Sequence, residues 1–386
     1  MVKQEIYLDN SATTRVLPQV AAVMTTVLTG NFGNPSSLHS KGLAAERGLS
    51  EARRLLAAAL SVKASEIYFT SGGTEANNLA VKGAARRRRR RGVHIVTTAI
   101  EHPSVLYAAG ALEAEGFDIT FLPVDARGMV DAAQVAAALR PDTILVSIMH
   151  VNNEVGSVQP VEEIGRLLKE KDRRIIFHVD AVQSFGKLPV APARWQADLV
   201  SLSAHKIHGP KGAGALYCRE GVALDFLLHG GGQEKGVRQG TENTAGIAGF
   251  AEAARLALKG REEHMKIMAS LRCALLEGIL DTIPGTSCNG PADAAPHILN
   301  LTVEGIKGEV LVHTLGEQGI YISTGSACHS HRPDPSHVLM GMGRTAASVE
   351  SSLRFSFSPY NTMQEIDITL ERLRQAVSDL RVLGRR

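Results

Sequence analysis

Asp198-Leu-Val-Ser-Leu-Ser-Ala-His-Lys206-Ile-His-Gly-Pro-Lys-Gly-Ala-Gly-Ala-Leu-Tyr217 reads as a strand, a tight corner and a returning strand. Val200 and Leu202 alternate with Leu199 and Ser201 as a short strand requires, and Ala213 to Tyr217 supply the second strand. Between them Gly209, Pro210, Gly212 and Gly214 exclude a regular helix and let the backbone approach another group closely. A lone lysine in a turn is usually a solvated surface group. Here Ser203, His205, His208 and four glycines crowd one amine, which points to a Schiff-base lysine beside a phosphate site.

The same rhythm extends in both directions. Glu66–Thr70, Val93–Thr98, Phe117–Pro123, Thr143–Met149 and Arg174–Val179 read as strands, separated by helical periodicity at 38–60, after Gly73, and over 131–139 and 161–169. Polar residues gather at the strand ends: Ser71-Gly-Gly73-Thr74, His102, Asn153, and Asp180 with Gln183. The pattern predicts an α/β fold with a mostly parallel, doubly wound sheet whose site lies along one edge. Ser71-Gly-Gly-Thr74 makes a phosphate cradle at a helix N-terminus but is neither a P-loop nor a GxGxxG fingerprint.

After a polar loop at 230–244, a long helical region is expected from Ala245 to Leu280, and 284–296 reads as a linker. A smaller α/β unit follows, with strands at 297–303, 320–323 and 352–357 and a final helix over 363–380. The expected division is a large domain, 15–260, and a small C-terminal domain formed by 1–14 and 261–386.

Composition narrows the function classes. The 386 residues are 44% hydrophobic and 4% aromatic, with a formal net charge of +3, which gives no stacking platform for single-stranded nucleic acid. Much of the positive charge lies in Arg86–Arg91, read as a solvated loop; RNA binding through it is the rival from another functional class. No apolar run has membrane-spanning length, and Met1-Val-Lys-Gln-Glu leads straight into a strand. Cys218, Cys273, Cys288 and Cys328 are widely spaced without a CxxC pair, so no disulfide framework or structural zinc is expected and a cytoplasmic setting fits. Cys218, Cys273 and Cys288 read as small buried hydrophobes. Cys328 differs, lying in Gly325-Ser-Ala-Cys-His-Ser330 before Arg-Pro-Asp-Pro335, where His329, His331 or His337 would favour a thiolate. A metal site made of Cys328, His329, His331 and His337 is set aside, because proline-rich spacing does not preform a tetrahedron.

In order along the chain, Tyr7-Leu-Asp-Asn-Ser-Ala-Thr-Thr14, Gly33-Asn-Pro-Ser-Ser37, Phe69-Thr-Ser-Gly-Gly-Thr-Glu75, Ser147-Ile-Met-His-Val-Asn-Asn-Glu154, His178-Val-Asp-Ala-Val-Gln183, Ser203-Ala-His-Lys-Ile-His-Gly-Pro-Lys-Gly212, Gly230-Gly-Gly-Gln-Glu234, Arg238-Gln-Gly-Thr241 and Ser323-Thr-Gly-Ser-Ala-Cys-His-Ser330 form a set. With these motifs the sequence resembles the cysteine desulfurases of the NifS/IscS type, in the class V branch of fold-type I pyridoxal-phosphate enzymes. The resemblance runs from residue 6 to about 360.

It implies pyridoxal phosphate as cofactor and L-cysteine as substrate, with L-alanine as product. Lys206 would bind the cofactor and move the substrate's Cα proton, and Asp180 would pair with the ring nitrogen. Gln183 would reach the ring hydroxyl and His102 would stack on the ring. Gly73, Thr74, Ser203 and His205 would hold the phosphate, with Thr241 reaching in from the second subunit of a homodimer with shared active sites. Asn34, Asn153 and Arg354 would hold the substrate carboxylate. Cys328, on a loop at about 323–337, would take the sulfur as a persulfide for an acceptor protein, an Fe–S scaffold or a thiolation enzyme. The family's usual Cys-Thr-Ser is here Cys328-His-Ser, and the glycine-rich motifs are also similar to those of selenocysteine lyases, the runner-up reading. An ordinary aminotransferase would have no use for Cys328. With the sequence ending soon after its last helix, the longer tail by which some relatives engage a scaffold is not expected.

Overall fold

The structure is a computed structural model and describes residues 5–324 and 335–383. In chain order, β1 (Ile6–Tyr7), α1 (Pro18–Thr29) and α2 (Ser40–Leu60) precede β2 (Ile67–Thr70) and α3 (Gly73–Arg88). Next come β3 (His94–Thr98), α4 (Pro103–Ala114), β4 (Asp118–Leu122), α5 (Ala132–Ala138), β5 (Thr143–Met149), α6 (Val161–Lys171) and β6 (Ile176–Asp180). β7 (Leu199–Ser203) and β8 (Gly214–Cys218) bracket the lysine corner, and α7 (Thr244–Lys259) and α8 (Arg261–Thr282) follow. The remainder is β9 (Thr286–Cys288), β10 (Ile298–Val303), α9 (Gly308–Glu317), β11 (Ile320–Tyr321), α10 (His337–Gly341), α11 (Ala346–Glu350), β12 (Ser352–Ser356) and α12 (Met363–Leu383).

Seven strands form the main sheet in the order β2-β8-β7-β6-β5-β3-β4. The pairs from β7 through β6, β5 and β3 to β4 are parallel, whereas β8 runs antiparallel to both β7 and β2. Only β8 therefore opposes the common direction. Its reversal is the returning strand expected after Lys206, and it leaves the lysine corner at the carboxyl edge of the sheet, between the end of β7 and the start of β8.

Alternation explains why both faces are covered. Val96, Val146, Phe177 and Val200 join α1, α2, α5, α6 and α7 in one core, while their neighbours Ile95, Leu145, Ile176 and Leu199 join α3 and α4 in another. Inside the sheet, the His178 ring bridges the Ser147 and Ser201 hydroxyls at 2.8 and 2.9 Å, tying β5, β6 and β7 in register. Burial pushes the His178 pKa down to about 3, so the bridge is a neutral one.

A separate apolar core gathers Ile6 and Leu8 with Leu275 of α8, Leu301 of β10, Phe355 of β12 and Leu373 of α12. β10 pairs antiparallel with β12 and β9, and β1 pairs parallel with β11. Three expectations need correction. The long helix is two helices, meeting at Gly260, where φ −103° and ψ 6° break the α geometry. The linker-like 284–296 contains β9, which pairs through Thr286–Cys288. Of the three cysteines read as buried, only Cys218 is; Cys288 is half-buried and Cys273 is exposed. The buried positions of α8 are Met268, Leu271, Leu275 and Ile279, so the helical period turns Cys273 outward.

The arginine run is not a free loop either. Arg86–Arg88 complete the last turn of α3, where cations complement the helix dipole. Arg86 grips Glu115 through two nitrogens at 2.5 and 2.9 Å, Arg88 donates to the Arg174 carbonyl, Arg89 covers the Phe117 ring, and Arg91 pairs with Asp172 at 3.0 Å. Arg86 and Arg91 are thus paired within the chain, while Arg87, Arg89 and Arg90 stay exposed. Among the described residues no helix is long and apolar enough to cross a membrane.

Candidate active site

The carboxyl ends of the parallel strands meet at a cavity of about 270 Å³. Asp180 ends β6 and Ser203 ends β7; His102 follows β3, Asn153 follows β5, and Gly73 and Thr74 open α3 after β2. These residues line the cavity together with Gln183, His205, Lys206 and Arg354. Of the thirteen residues singled out in the sequence, ten line this one cavity, while Cys328 lies outside the described residues.

Lys206 closes a single 3₁₀ turn, Ala204–Lys206, directly after β7. Its ammonium donates to the Ser11 and Ala12 carbonyls at 2.5 and 2.8 Å. The N-terminal strap that supplies those carbonyls is itself fixed, because the Thr14 N–H and hydroxyl both donate to the His205 carbonyl at 3.0 Å. Asp180 lies across the cavity floor. One of its oxygens accepts from the Val182 N–H at 2.9 Å and the other from the Asn77 amide at 2.7 Å. Burial raises the pKa of its carboxyl, and these two donors together with the charge of Lys206 oppose the rise.

His102 caps α4, and its Nδ1 accepts the Ser104 N–H at 3.1 Å. An accepting Nδ1 leaves the ring proton on Nε2. Facing it, the first turn of α3 presents backbone N–H groups without intrahelical partners. A side chain at Gly73 would put its Cβ 2.7 Å from Val182, so the approach to the cavity is kept open by glycine. His205 is held neutral, its pKa pushed down to about 3 by burial first and then by the charge of Lys206.

Besides Arg354 Nε, four buried polar atoms of described residues at this cavity lack a hydrogen-bond partner: the Ser11 and Ser203 hydroxyls, Asn77 Oδ1 and Gln183 Oε1. Buried polar groups are nearly always satisfied, so four orphans around one cavity mark a polar ligand with several donors and acceptors. A phosphorylated aromatic aldehyde matches the set: helix N–H groups and a hydroxyl for phosphate, an acid for a ring nitrogen, an amide for a ring hydroxyl, an amine for the carbonyl.

Arg354 enters from β12 of the small sheet and is almost wholly buried. It donates to Asp9 at 2.8 Å and to the Asn153 carbonyl at 3.0 Å, and its Nε has no partner. Backbone bonds between Ser323 and Arg354 anchor the chain just before residue 325. On the far side, the Ser336 hydroxyl donates to Glu154 at 2.5 Å, and the His337 ring meets the Glu101 carbonyl at 2.9 Å. The segment that carries Cys328 thus begins and ends on groups beside the cavity.

Two expected contacts are not in this cavity. Asn34 is exposed, and its Oδ1 accepts the Ser36 N–H at 2.9 Å within its own loop. Thr241 is also exposed, on a loop tied to α2 by the two-pronged Arg53–Glu234 pair and to α3 by Arg238–Glu75. Conversely, sequence reasoning passed over Asn77, Ser11 and Ser104. Asn77 stands three residues after Thr74, on the same face of α3, and that spacing was the available signal.

A match to the Aminotransferase class-V family model covers residues 6–369. The chain belongs to that family. Class V enzymes use pyridoxal phosphate, in keeping with the orphaned groups of the cavity. Over 377 residues the chain is 47% identical to the protein named Cysteine desulfurase IscS from Methanosarcina thermophila, covering 97% of this chain and 93% of that one. The solved structure of a NifS-like protein superposes with a TM-score of 0.92 at 39% identity, covering 97% of this chain and all of that one. The structure described as SspA in complex with cysteine superposes with a TM-score of 0.82 at 38% identity, covering 93% of this chain and all of that one. The α/β architecture, a mostly parallel sheet plus a small C-terminal sheet, is the one expected from the sequence.

Proposed function

We infer that this protein is a cysteine desulfurase that converts L-cysteine to L-alanine and passes the sulfur on through Cys328. The observation that carries the reading is the juxtaposition of Lys206, Asp180, His102 and the open turn of α3 around four orphaned polar atoms. Near-full-length likeness to cysteine desulfurases supports it. When bound, pyridoxal phosphate supplies the electron sink that a bond cleavage at the substrate's Cβ requires.

The chain's own groups do the rest. The α3 N–H groups, Thr74, Ser203 and His205 would hold the phosphate; Asp180, oriented by Asn77, would take the ring nitrogen; Gln183 would take the ring hydroxyl; and His102 would cover the ring. Lys206, released from Ser11 and Ala12, moves the Cα proton. Arg354 and Asn153 receive the substrate carboxylate, with Asp9 fixing the guanidinium. The Cys328 thiolate then attacks the substrate sulfur. An S–S bond forms, the Cβ–S bond breaks, and its electron pair stays on carbon, which takes a proton to become the methyl of alanine. The transferred sulfur remains as a Cys328 persulfide for an acceptor thiol on an Fe–S scaffold or a thiolation enzyme.

The working unit is a homodimer. Asn34 lies between the exposed Phe32 and Leu38, and the stretch that leads to the exposed Thr241 begins with the exposed Phe226 and Leu228. Burying those side chains against a second copy would carry Asn34 and Thr241 toward the neighbouring cavity. With domains divided at residue 260, Arg354 and Cys328 would belong to the small domain and the cofactor residues to the large one.

The test is reconstitution with pyridoxal phosphate. A visible absorption band should form with the wild-type protein and be lost in Lys206→Ala while the fold remains intact. A band that persists in that variant would remove Lys206 from the role.

A further inference from the structure

Behind Lys206, away from the cofactor cavity, lies a second and smaller one of about 30 Å³. Lys206 lines both. The smaller cavity is also lined by Lys187, Asn10, Thr14 and His208, and it has room for about one water. Lys187 follows Gly186, whose φ of +74° turns the chain inward after β6. A Cβ at Gly186 would also lie 2.8 Å from Ile207, beside the lysine corner.

Lys187 is an unusual lysine. It is 8% exposed, and among the described residues its amine makes one hydrogen bond, a long 3.4 Å contact to the Gln183 carbonyl, and no ion pair. The other well-buried lysine, Lys169, behaves as burial demands and pairs with Asp198 at 2.6 Å. Burial, with the charge of Lys206 added, pushes the Lys187 pKa down to about 7. The remaining groups that share its field are basic. Its charge depresses His205, His208 and His297, while Lys211 acts on His205 and His264 on His208. Two amines lining one small cavity, with no carboxylate among its lining residues, cannot both hold a proton cheaply.

We propose that Lys187 is a positioning residue for Lys206: a second amine behind it, whose charge competes with the charge on Lys206 and keeps that nitrogen ready to give up its proton. It touches neither substrate nor cofactor. Its effect is electrostatic, as for a lysine activated by a neighbouring cation. The proposal rests on the reading of Lys206 as the cofactor's lysine.

The experiment compares wild-type protein, Lys187→Met and Lys187→Arg, each loaded with pyridoxal phosphate, by titrating the visible absorption of the bound cofactor against pH. Loss of the neighbouring amine should move the midpoint up by about one pH unit, the size of effect a close like charge exerts. The permanently charged arginine should leave the midpoint in place or lower it. A midpoint unmoved in Lys187→Met, or moved in the same direction by both substitutions, would overturn the proposal, since a merely structural role gives no dependence on charge. Should Lys187→Met fail to fold, Lys187→Gln carries the same prediction. A wild-type protein whose absorption band does not depend on Lys206 would instead overturn the underlying assignment, and the proposal with it.

Discussion

Asn77 and Asp180 are joined by a 2.7 Å hydrogen bond, and the same Asn77 amide donates to the Ser104 hydroxyl at 2.8 Å. The bond links α3, whose N-terminus faces the phosphate position, to the acid at the end of β6. Asn77 is fully buried, so its loss leaves an oxygen of Asp180 without a donor. Asn77→Leu should weaken pyridoxal-phosphate binding about tenfold, the range for one hydrogen bond to a charged group. Fluorescence titration of the apoprotein measures it, and unchanged affinity would detach Asn77 from the site.

Arg354 is held by Asp9 and by the Asn153 carbonyl in one orientation. Lysine cannot reproduce both contacts and still present a flat fork to a carboxylate. Arg354→Lys should therefore lower kcat/KM for cysteine by about 10- to 100-fold, mainly through KM, with cofactor affinity nearly unchanged. An equal loss of cofactor affinity would place Arg354 elsewhere in the chemistry.

Glu101 is fully buried, its Oε1 accepting from Thr98 and from the Met149 N–H, and burial raises its pKa from 4.5 to about 8. A raised carboxyl pKa makes the neutral acid the form that the fold favours. Its stabilising contribution is complete below pH 4.5 and is lost as pH rises toward 8. Glu101→Gln should flatten the fall in stability over that window by up to about 1.4 kcal/mol per pH unit. Urea denaturation at several pH values reads this directly, and parallel pH profiles for the two proteins would refute it.

Ser336 satisfies the buried carboxyl of Glu154, whose pKa is raised to about 7 by burial despite that bond and the charge of Arg354. Ser336→Ala leaves Glu154 short of a partner and should cost about 1–3 kcal/mol of stability. Because Ser336 lies just beyond the segment that carries Cys328, cysteine turnover should fall as well. Thermal denaturation and turnover on one preparation separate the two effects.

Much of the site was legible because its residues fall where period-two strands stop and polar residues begin. Asp180, Ser203 and His102 needed only that punctuation, and the ordered motifs supplied their roles. What was missed depended on three-dimensional neighbours. Asn77 looks like any polar helix residue until Asp180 is placed beside it, and Lys187 looks like a surface lysine until the turn at Gly186 buries it. The outward turn of Cys273 is set by which face of α8 packs on α12 and the small sheet, a neighbour relation that the local sequence does not state. The arginine run was read in part. Arg87, Arg89 and Arg90 do face solvent as expected, while Arg86 and Arg91 pair with Glu115 and Asp172, which the local sequence does not place beside them.

The central claim is tested most directly by alanine and sulfide formation from L-cysteine, with added thiol, by the cofactor-loaded protein and its Cys328→Ala variant, alongside selenocysteine. The wild-type protein should form both products, and Cys328→Ala should form neither from cysteine while keeping its cofactor absorption. Full cysteine turnover by the variant would contradict persulfide transfer through Cys328. Activity confined to selenocysteine would make the protein a selenocysteine lyase instead.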